Sequence, residues 1–294
     1  MRLHKKRDKS RVFIKRRLPA MLLFLIILFV NTSALGEVSN TRSLKNGVVI
    51  PLNISNPAEA LVVQGKNHFQ PKKIIGQDDR IQIEDTEAFP YGAVAFMDVI
   101  CACGCGWECT GTIAGKPNII LTAAHALVCA DHGESAESII FYFGYRNHRQ
   151  YRLRYDGNWK AWAGNDYLEH EYSFQKDWGV VLLDEPIGEQ VGCLEILWPE
   201  DNSIFSAQTA SIVGYSDGTL YADQGELCFM EPEHFQYKMD QDSGASGGPI
   251  LDENNRVVGV VIGHQTDDDG EQSNVGLMLT KALRDVYEEI AGLK

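Results

Sequence analysis

An all-β domain ending in one amphipathic helix is the fold this sequence predicts, and three observations predict it. From Ala88 onward, short apolar runs rich in β-branched and aromatic residues alternate with turn residues at close spacing. Near the C-terminus the period changes, and Leu279, Ala282, Leu283, Val286, Tyr287 and Ile290 fall three and four residues apart. No internal repeat or low-complexity tract interrupts the pattern. With 294 residues, 44% of them hydrophobic, the chain can bury a sizeable core.

Taken in order, the run 92–97 follows Phe89-Pro90 and reads Gly-Ala-Val-Ala-Phe-Met. The run 118–122 (Asn-Ile-Ile-Leu-Thr) follows Gly115-Lys116-Pro117, and 138–143 (Ser-Ile-Ile-Phe-Tyr-Phe) stops at Gly144. The run 179–183 (Gly-Val-Val-Leu-Leu) stops at Asp184-Glu185-Pro186, and 210–213 (Ala-Ser-Ile-Val) stops at Gly214. The run 257–262 (Val-Val-Gly-Val-Val-Ile) lies between Asn254-Asn255 and Gly263. The helix after it presents one apolar stripe, which is expected to pack against the second half of the domain.

The N-terminal part reads differently. Arg2 to Arg17 holds nine basic residues, the apolar run 18–30 follows, and small residues come next, with Ala34-Leu35-Gly36 a cleavage site before Glu37. Residues 1–36 are therefore expected to be a signal peptide, and the product to be exported, extracellular or periplasmic. The competing reading is an uncleaved anchor, but 13 apolar residues are short against the ~20 that a spanning helix needs. Residues 37–73 show little periodicity and end at the dibasic Lys72-Lys73, as a propeptide or linker would. An N-terminal strand of the domain is the other reading.

Charge separates the two parts. Residues 74–294 hold 13 of the 27 Lys and Arg and 37 of the 40 Asp and Glu, a side-chain balance of −24. Such a surface disfavours nucleic acid and anionic membranes as partners. Once the signal peptide is removed, no stable membrane association is expected.

Three side chains point to chemistry. Ser246 sits in Asp242-Ser243-Gly244-Ala245-Ser246-Gly247-Gly248-Pro249, His125 ends Leu121-Thr122-Ala123-Ala124-His125, and Asp177 opens Asp177-Trp178-Gly179-Val180-Val181. A serine hydroxyl is a weak nucleophile at neutral pH and needs an imidazole to take its proton. The imidazole in turn needs a carboxylate to hold its tautomer. Each residue alone has an ordinary explanation: a glycine turn, a core histidine, a strand-capping aspartate. Together, in the order His, Asp, Ser and each beside an apolar run, they form a candidate triad for acyl transfer. The glycines suit an oxyanion hole made by the N–H groups of Gly244 and Ser246.

At these residues the chain resembles the trypsin-like (chymotrypsin-fold) serine proteases, and most of all the bacterial glutamyl endopeptidases of the V8 protease type. The likeness runs from Ile74-Ile75-Gly76-Gln77-Asp78-Asp79-Arg80 through Cys109-Thr110-Gly111-Thr112-Ile113 and Leu183-Asp184-Glu185-Pro186 to Tyr237-Lys238-Met239-Asp240. It implies two six-stranded antiparallel β-barrels in residues 74–294, with His125 and Asp177 in the first and Ser246 in the second. It also implies a secreted endopeptidase made as a precursor, needing no cofactor, acting on protein or peptide substrates and released by an activating protease at Ile74. Animal trypsins carry an aspartate just before the nucleophile, which pairs with the new N-terminus on activation. Here that residue is Ala245. The rival reading is a protease-fold binding protein whose pocket is blocked.

The resemblance places Asp240, Gln241, Val261 and His264 at the substrate pocket. Glutamyl endopeptidases carry threonine and histidine where this chain has Gln241 and Val261, with His264 three residues beyond. Trypsins bind Lys or Arg through a carboxylate at the position of Asp240. Acidic and basic preferences both stay open on the sequence.

Seven cysteines lie downstream of the signal peptide, where disulfides form. Cys109 and Cys129 resemble the pair that braces the histidine loop in this family. Cys101, Cys103 and Cys105 crowd the segment before it, and Cys193 and Cys228 remain. The spacing is not the usual C-x-x-C of zinc sites, so disulfides are expected and no metal, and an odd count leaves one thiol over. Asp267-Asp268-Asp269-Gly270-Glu271 lacks the alternating ligand spacing of a calcium loop and reads as a solvated acidic turn.

Overall fold

The computed structural model describes the backbone of residues 47–52 and residues 74–293 apart from 130, 131, 147, 165–173, 200–207, 231–233 and 268. The signal-peptide reading of residues 1–36 lies outside the described residues. Among those described, no helix is long and apolar enough to cross a membrane.

Among the described residues, fifteen strands form two sheets. The first contains β1 (Gly47–Leu52), β3 (Val94–Cys101), β4 (Gly106–Ile113), β5 (Ile119–Thr122), β6 (Ala136–Phe143), β7 (Leu153–Tyr155), β8 (Trp159–Gly164) and β9 (Gly179–Leu183), in the spatial order β1-β8-β9-β5-β4-β3-β6-β7. The second contains β2 (Ile81–Gln82), β10 (Gln208–Ser216), β11 (Thr219–Met230), β12 (His234–Tyr237), β13 (Pro249–Leu251), β14 (Val257–Thr266) and β15 (Gln272–Met278). Its order is β10-β13-β14-β15-β12-β11, and β10 also pairs with β11, so six strands close into a barrel with β2 added to β11. The described residues also form a short helix α1 (Gly188–Val191), a C-terminal helix α2 (Lys281–Ile290) and short 3-10 turns.

The all-β class and the two-lobed architecture agree with the sequence reading, with one difference. Only the second sheet closes; the first is a curled half-barrel. β8 pairs with β9 on one side and with β1, in parallel, along its whole length on the other. No edge of β8 is left for closure against β7. β1 falls within residues 37–73, so part of the stretch read as propeptide or linker is paired to the first sheet.

Strands of the first sheet are buried on both faces where the sequence is continuously apolar: Ile119, Ile120, Leu121 and Thr122 are all buried, as are Val180, Val181 and Leu183. Trp159, Trp178, Phe141 and Phe143 fill the centre of that lobe. The second barrel closes over Phe235, Tyr237, Ile250, Val258 and Met278.

Helix α2 begins at Thr280, whose hydroxyl accepts the Leu283 N–H at 3.2 Å as an N-cap. Leu283 and Tyr287 form its buried face. The expected docking against the second barrel is only half the arrangement. The Leu279 N–H bonds the Val258 carbonyl of β14, while the Tyr287 hydroxyl donates to Ala114 O, just after β4, at 2.9 Å. The helix thus clasps both lobes. Gly115 permits this, because a Cβ there would lie 2.2 Å from the Tyr287 hydroxyl.

Candidate active site

The carboxyl-side end of β5 and the start of β9 meet because the strands pair antiparallel, with Thr122 opposite Gly179. His125 stands three residues past β5, in a 3-10 turn over Ala124–Ala126, and Asp177 stands two residues before β9. A Cβ at Gly179 would lie 2.9 Å from Ala123 O, so glycine lets these backbones approach closely. Asp177 is fully buried and both its oxygens are used. Oδ1 accepts the His125 backbone N–H at 2.9 Å, and Oδ2 lies 2.7 Å from His125 Nδ1. A carboxylate can only accept, so Nδ1 carries the proton and Nε2 presents a lone pair in the neutral ring. That Nε2 is in hydrogen-bond contact with Ser246 Oγ.

Ser246 is delivered by the turn between β12 and β13, and that turn is held from the other lobe. Thr110, buried in the middle of β4, donates its N–H to Ser246 O (2.7 Å) and its hydroxyl to Gly244 O (2.7 Å). The same hydroxyl accepts the Tyr215 N–H of β10 at 2.9 Å, and Thr110 O accepts the Thr122 hydroxyl at 2.8 Å. One threonine therefore links the serine turn, β10 and the strand leading to His125. Sequence reasoning missed it; a buried threonine in a Cys-Thr-Gly-Thr strand carries no signal of its partners.

Within the turn, the N–H groups of Ala245, Gly247 and Gly248 bond to Asp242, Val261 and Ala245 carbonyls. Those of Gly244 and Ser246 have no acceptor among the described residues. Gly247 has φ +83°, and a Cβ there would lie 2.1 Å from both Thr110 O and Thr122 Oγ1, so no side chain fits.

Beside the serine, a cavity is lined by Arg80, Ser216, Tyr221, Asp223, Asp240, Gln241 and Val261. Three of the four residues expected there line it; His264, half-buried on β14, does not. Arg80 was not expected. Its guanidinium stacks 4.5 Å from the centroid of the Tyr221 ring and pairs with Asp78 at 2.8 Å, and its side chain is only 10% exposed. The amide of Gln241 is spent inside the wall, donating to Gly263 O (2.7 Å) and accepting the buried Tyr237 hydroxyl (3.0 Å).

Asp240 is buried, and its carboxylate is engaged by backbone groups. Its carboxylate accepts the Ile75 N–H at 2.6 Å and the Asp79 N–H at 3.4 Å, and its own N–H donates to Asp223 Oδ2 at 2.6 Å. The carboxylates of Asp79, Asp223 and Asp240 converge within 4.8 Å. Burial first, and then the neighbouring charges of Asp79 and Asp240, push the Asp223 carboxyl above its ordinary range despite two backbone N–H donors.

The cysteine pairing differs from expectation. Cys101 and Cys103 are joined in a disulfide, and Cys109 and Cys129 are not joined to each other. The Sγ of Cys129 instead lies 3.8 Å from that of Cys103, while Cys109 is buried in the first-lobe core.

A family model described as a trypsin-like peptidase domain matches residues 109–260, just over half the chain. A glutamyl endopeptidase of Bacillus licheniformis is 27% identical over 192 residues, 64% of this chain and 57% of that protein. A protein of Bacillus subtilis named extracellular metalloprotease is 26% identical over 232 residues, covering 76% of this chain and 70% of its own length. The chain thus spans just over half the length of the first of these relatives. Among solved structures, a Glu endopeptidase in complex with MPD superposes with a TM-score of 0.64 at 23% identity, over 75% of this chain and all of the other. That likeness shows the chymotrypsin-like fold. Fold and family match agree, and the chain belongs to the trypsin-like peptidase family.

Proposed function

We propose that this protein is an exported serine endopeptidase, made as a precursor, that hydrolyses peptide bonds through an acyl-enzyme. The observation that carries the reading is the buried Asp177, with both oxygens on His125, and His125 Nε2 on Ser246 Oγ. The Oγ attacks the scissile carbonyl carbon as its proton passes to Nε2. The oxyanion is held by the N–H groups of Gly244 and Ser246, which lack other acceptors. Collapse breaks the C–N bond, and the leaving amine takes the proton from Nε2. Water then attacks the ester by the same route and restores Ser246.

The pocket supports cleavage after acidic residues. Asp240 already accepts two backbone N–H groups, whereas Arg80 brings a guanidinium to the cavity, and no other cationic side chain among the described residues lines it. An acidic substrate side chain would share that guanidinium with Asp78. The name of the Bacillus licheniformis relative, glutamyl endopeptidase, favours this assignment. Residues 1–36 serve as the signal peptide and 37–73 as the propeptide, whose strand β1 covers the edge of β8 until a separate protease removes it.

The test is cleavage-site profiling of the purified chain on a peptide library, beside Ser246→Ala, with the N-terminus of the secreted product sequenced. Cuts after Asp and Glu that vanish in Ser246→Ala are expected, with an N-terminus at Ile74. Equal cleavage by Ser246→Ala would overturn the mechanism, and cuts confined to Lys and Arg would overturn the pocket assignment.

A further inference from the structure

The tip of the β3–β4 hairpin and the loop after His125 bring four cysteines to one point. Hairpin residues Cys101, Cys103 and Cys105 and loop residue Cys129 have sulfurs that all lie within 4.8 Å of one another. The turn is tightened by the Cys101 N–H on Cys105 O and the Gly104 N–H on Cys101 O, both 2.9 Å, with Gly104 at φ +86°. The loop is shaped by the Cys129 N–H on Glu134 O and the Gly133 N–H on Cys129 O, both 2.8 Å. A bond from the Ala102 N–H to Ser135 O joins the two segments.

We propose that these four thiolates bind one zinc ion, which ties the β3–β4 hairpin to the loop that carries the catalytic base. Zinc bound tetrahedrally at ~2.3 Å to each sulfur sets the sulfurs about 3.8 Å apart. Cys103 and Cys129, from different segments, are 3.8 Å apart. A set of four sulfurs in a tetrahedral site selects zinc among divalent ions. His132 Nδ1 lies 3.5 Å from Cys129 Sγ and 3.7 Å from Cys105 Sγ, where an N–H would donate to both thiolates. Such a donor offsets part of the charge of four thiolates around a dication.

The Cys101–Cys103 disulfide and the metal are alternative fates of the same four cysteines: zinc takes them as the reduced thiols of the newly made chain, whereas a two-electron thiol oxidant, itself reduced as the S–S bond forms, closes the disulfide and excludes the ion. The disulfide joins two residues of one hairpin and leaves Cys105, Cys129 and the His132 ring gathered beside it. Zinc uses all four sulfurs and bridges the segments, releasing the thiol protons as it binds. Its place gives it a positioning role, because Cys129 follows His125 by four residues and Trp107 of the same hairpin donates its indole N–H to Ala126 O at 3.2 Å. The zinc would thus hold the turn bearing the base, at a distance from the reacting atoms.

The experiment is elemental analysis and zinc X-ray absorption of the full chain purified without chelator or reductant, with mass mapping of alkylated thiols. About one zinc per chain in a shell of four sulfurs at ~2.3 Å is expected. Cys129→Ser and Cys105→Ser should lose the zinc, and Cys193→Ser and Cys228→Ser should keep it. Stripping the zinc should lower the thermal midpoint and reduce kcat with KM little changed. Zinc below about a tenth of an equivalent, with Cys101, Cys103, Cys105 and Cys129 in disulfides, would overturn the proposal; so would stoichiometric iron, or zinc bound through other ligands. Because the wild-type content and ligand shell decide the question, a variant that fails to fold leaves it decidable. A protein without peptidase activity would still bind zinc if this inference holds.

Discussion

Replacing Thr110 by valine isolates the bonds that hold the serine turn against the first lobe. The change keeps the shape of a fully buried side chain and deletes one hydroxyl. It orphans the Tyr215 N–H, bonded at 2.9 Å, and the Gly244 carbonyl, bonded at 2.7 Å. A buried polar group left without a partner costs about 1–3 kcal/mol. Gly244 is half-buried, so water reaches its carbonyl in part, and a total near 2–4 kcal/mol follows. Thr112 is the internal control. It lies two residues along the same strand, equally buried, and its hydroxyl has no partner among the described residues. Thr112→Val should therefore be neutral or slightly stabilising. Guanidinium unfolding followed by tryptophan fluorescence measures both, and Thr110→Ser should restore most of the loss. kcat/KM should fall in Thr110→Val and hold in Thr112→Val if Gly244 is the oxyanion donor proposed above. If the two valine variants match in stability to within about 0.5 kcal/mol, the bracing role of Thr110 is wrong.

Other outcomes follow from single contacts. Gly247→Ala should give no stable active protein, since its Cβ would sit 2.1 Å from two oxygens at φ +83°, whereas Gly292→Ala, at φ +65° in open space, should cost only about 1–2 kcal/mol; soluble yield and melting separate them. Arg80→Met should lower kcat/KM for peptides cut after Glu by about 10- to 100-fold, the worth of one charge-assisted hydrogen bond, and an unchanged profile would remove Arg80 from the pocket assignment. The raised Asp223 carboxyl binds its proton more tightly in the folded chain than in the unfolded one. Stability therefore falls as pH climbs from the ordinary carboxylate value near ~4 through the raised one. Asp223→Asn removes that slope, so its thermal midpoint should gain on wild type as pH rises from about 4; a gap that does not change with pH would contradict this.

What the sequence made legible was local. Continuous apolar runs such as 118–122 and 179–183 became central strands, and the residues adjoining them, His125 and Asp177, met because those strands pair. The glycine turn around Ser246 was legible because its conformations admit nothing else. Contacts across long separations were not. Arg80 and Asp240 lie some 160 residues apart, and neither residue type announces that one enters the cavity while the other is spent on backbone N–H groups. The docking of α2 across both lobes depends on Tyr287 meeting a glycine that precedes it by 172 positions. The first lobe's failure to close turned on β1, whose segment has little periodicity of its own. The cysteine spacing was informative only once the hairpin had folded, when 101, 103 and 105 met 129.

Asp240 illustrates why position relative to the nucleophile does not fix specificity. A carboxylate six residues before the serine binds a cationic substrate only if its acceptors face the cavity. Here the segment following residue 73 arrives first. β2 pairs with β11, the Ile83 N–H bonds Leu220 O, and the Ile75 and Asp79 N–H groups occupy the Asp240 oxygens. The same short segment carries Arg80 over Tyr221, so one stretch of chain both occupies the Asp240 carboxylate and adds a guanidinium to the cavity wall. On the proposed pocket assignment, the charge that a substrate meets is therefore set by residues 75–83 together with the strands that frame the cavity. Chains that keep Asp240 but place this segment differently would present the carboxylate instead, and the same barrel would favour the opposite charge.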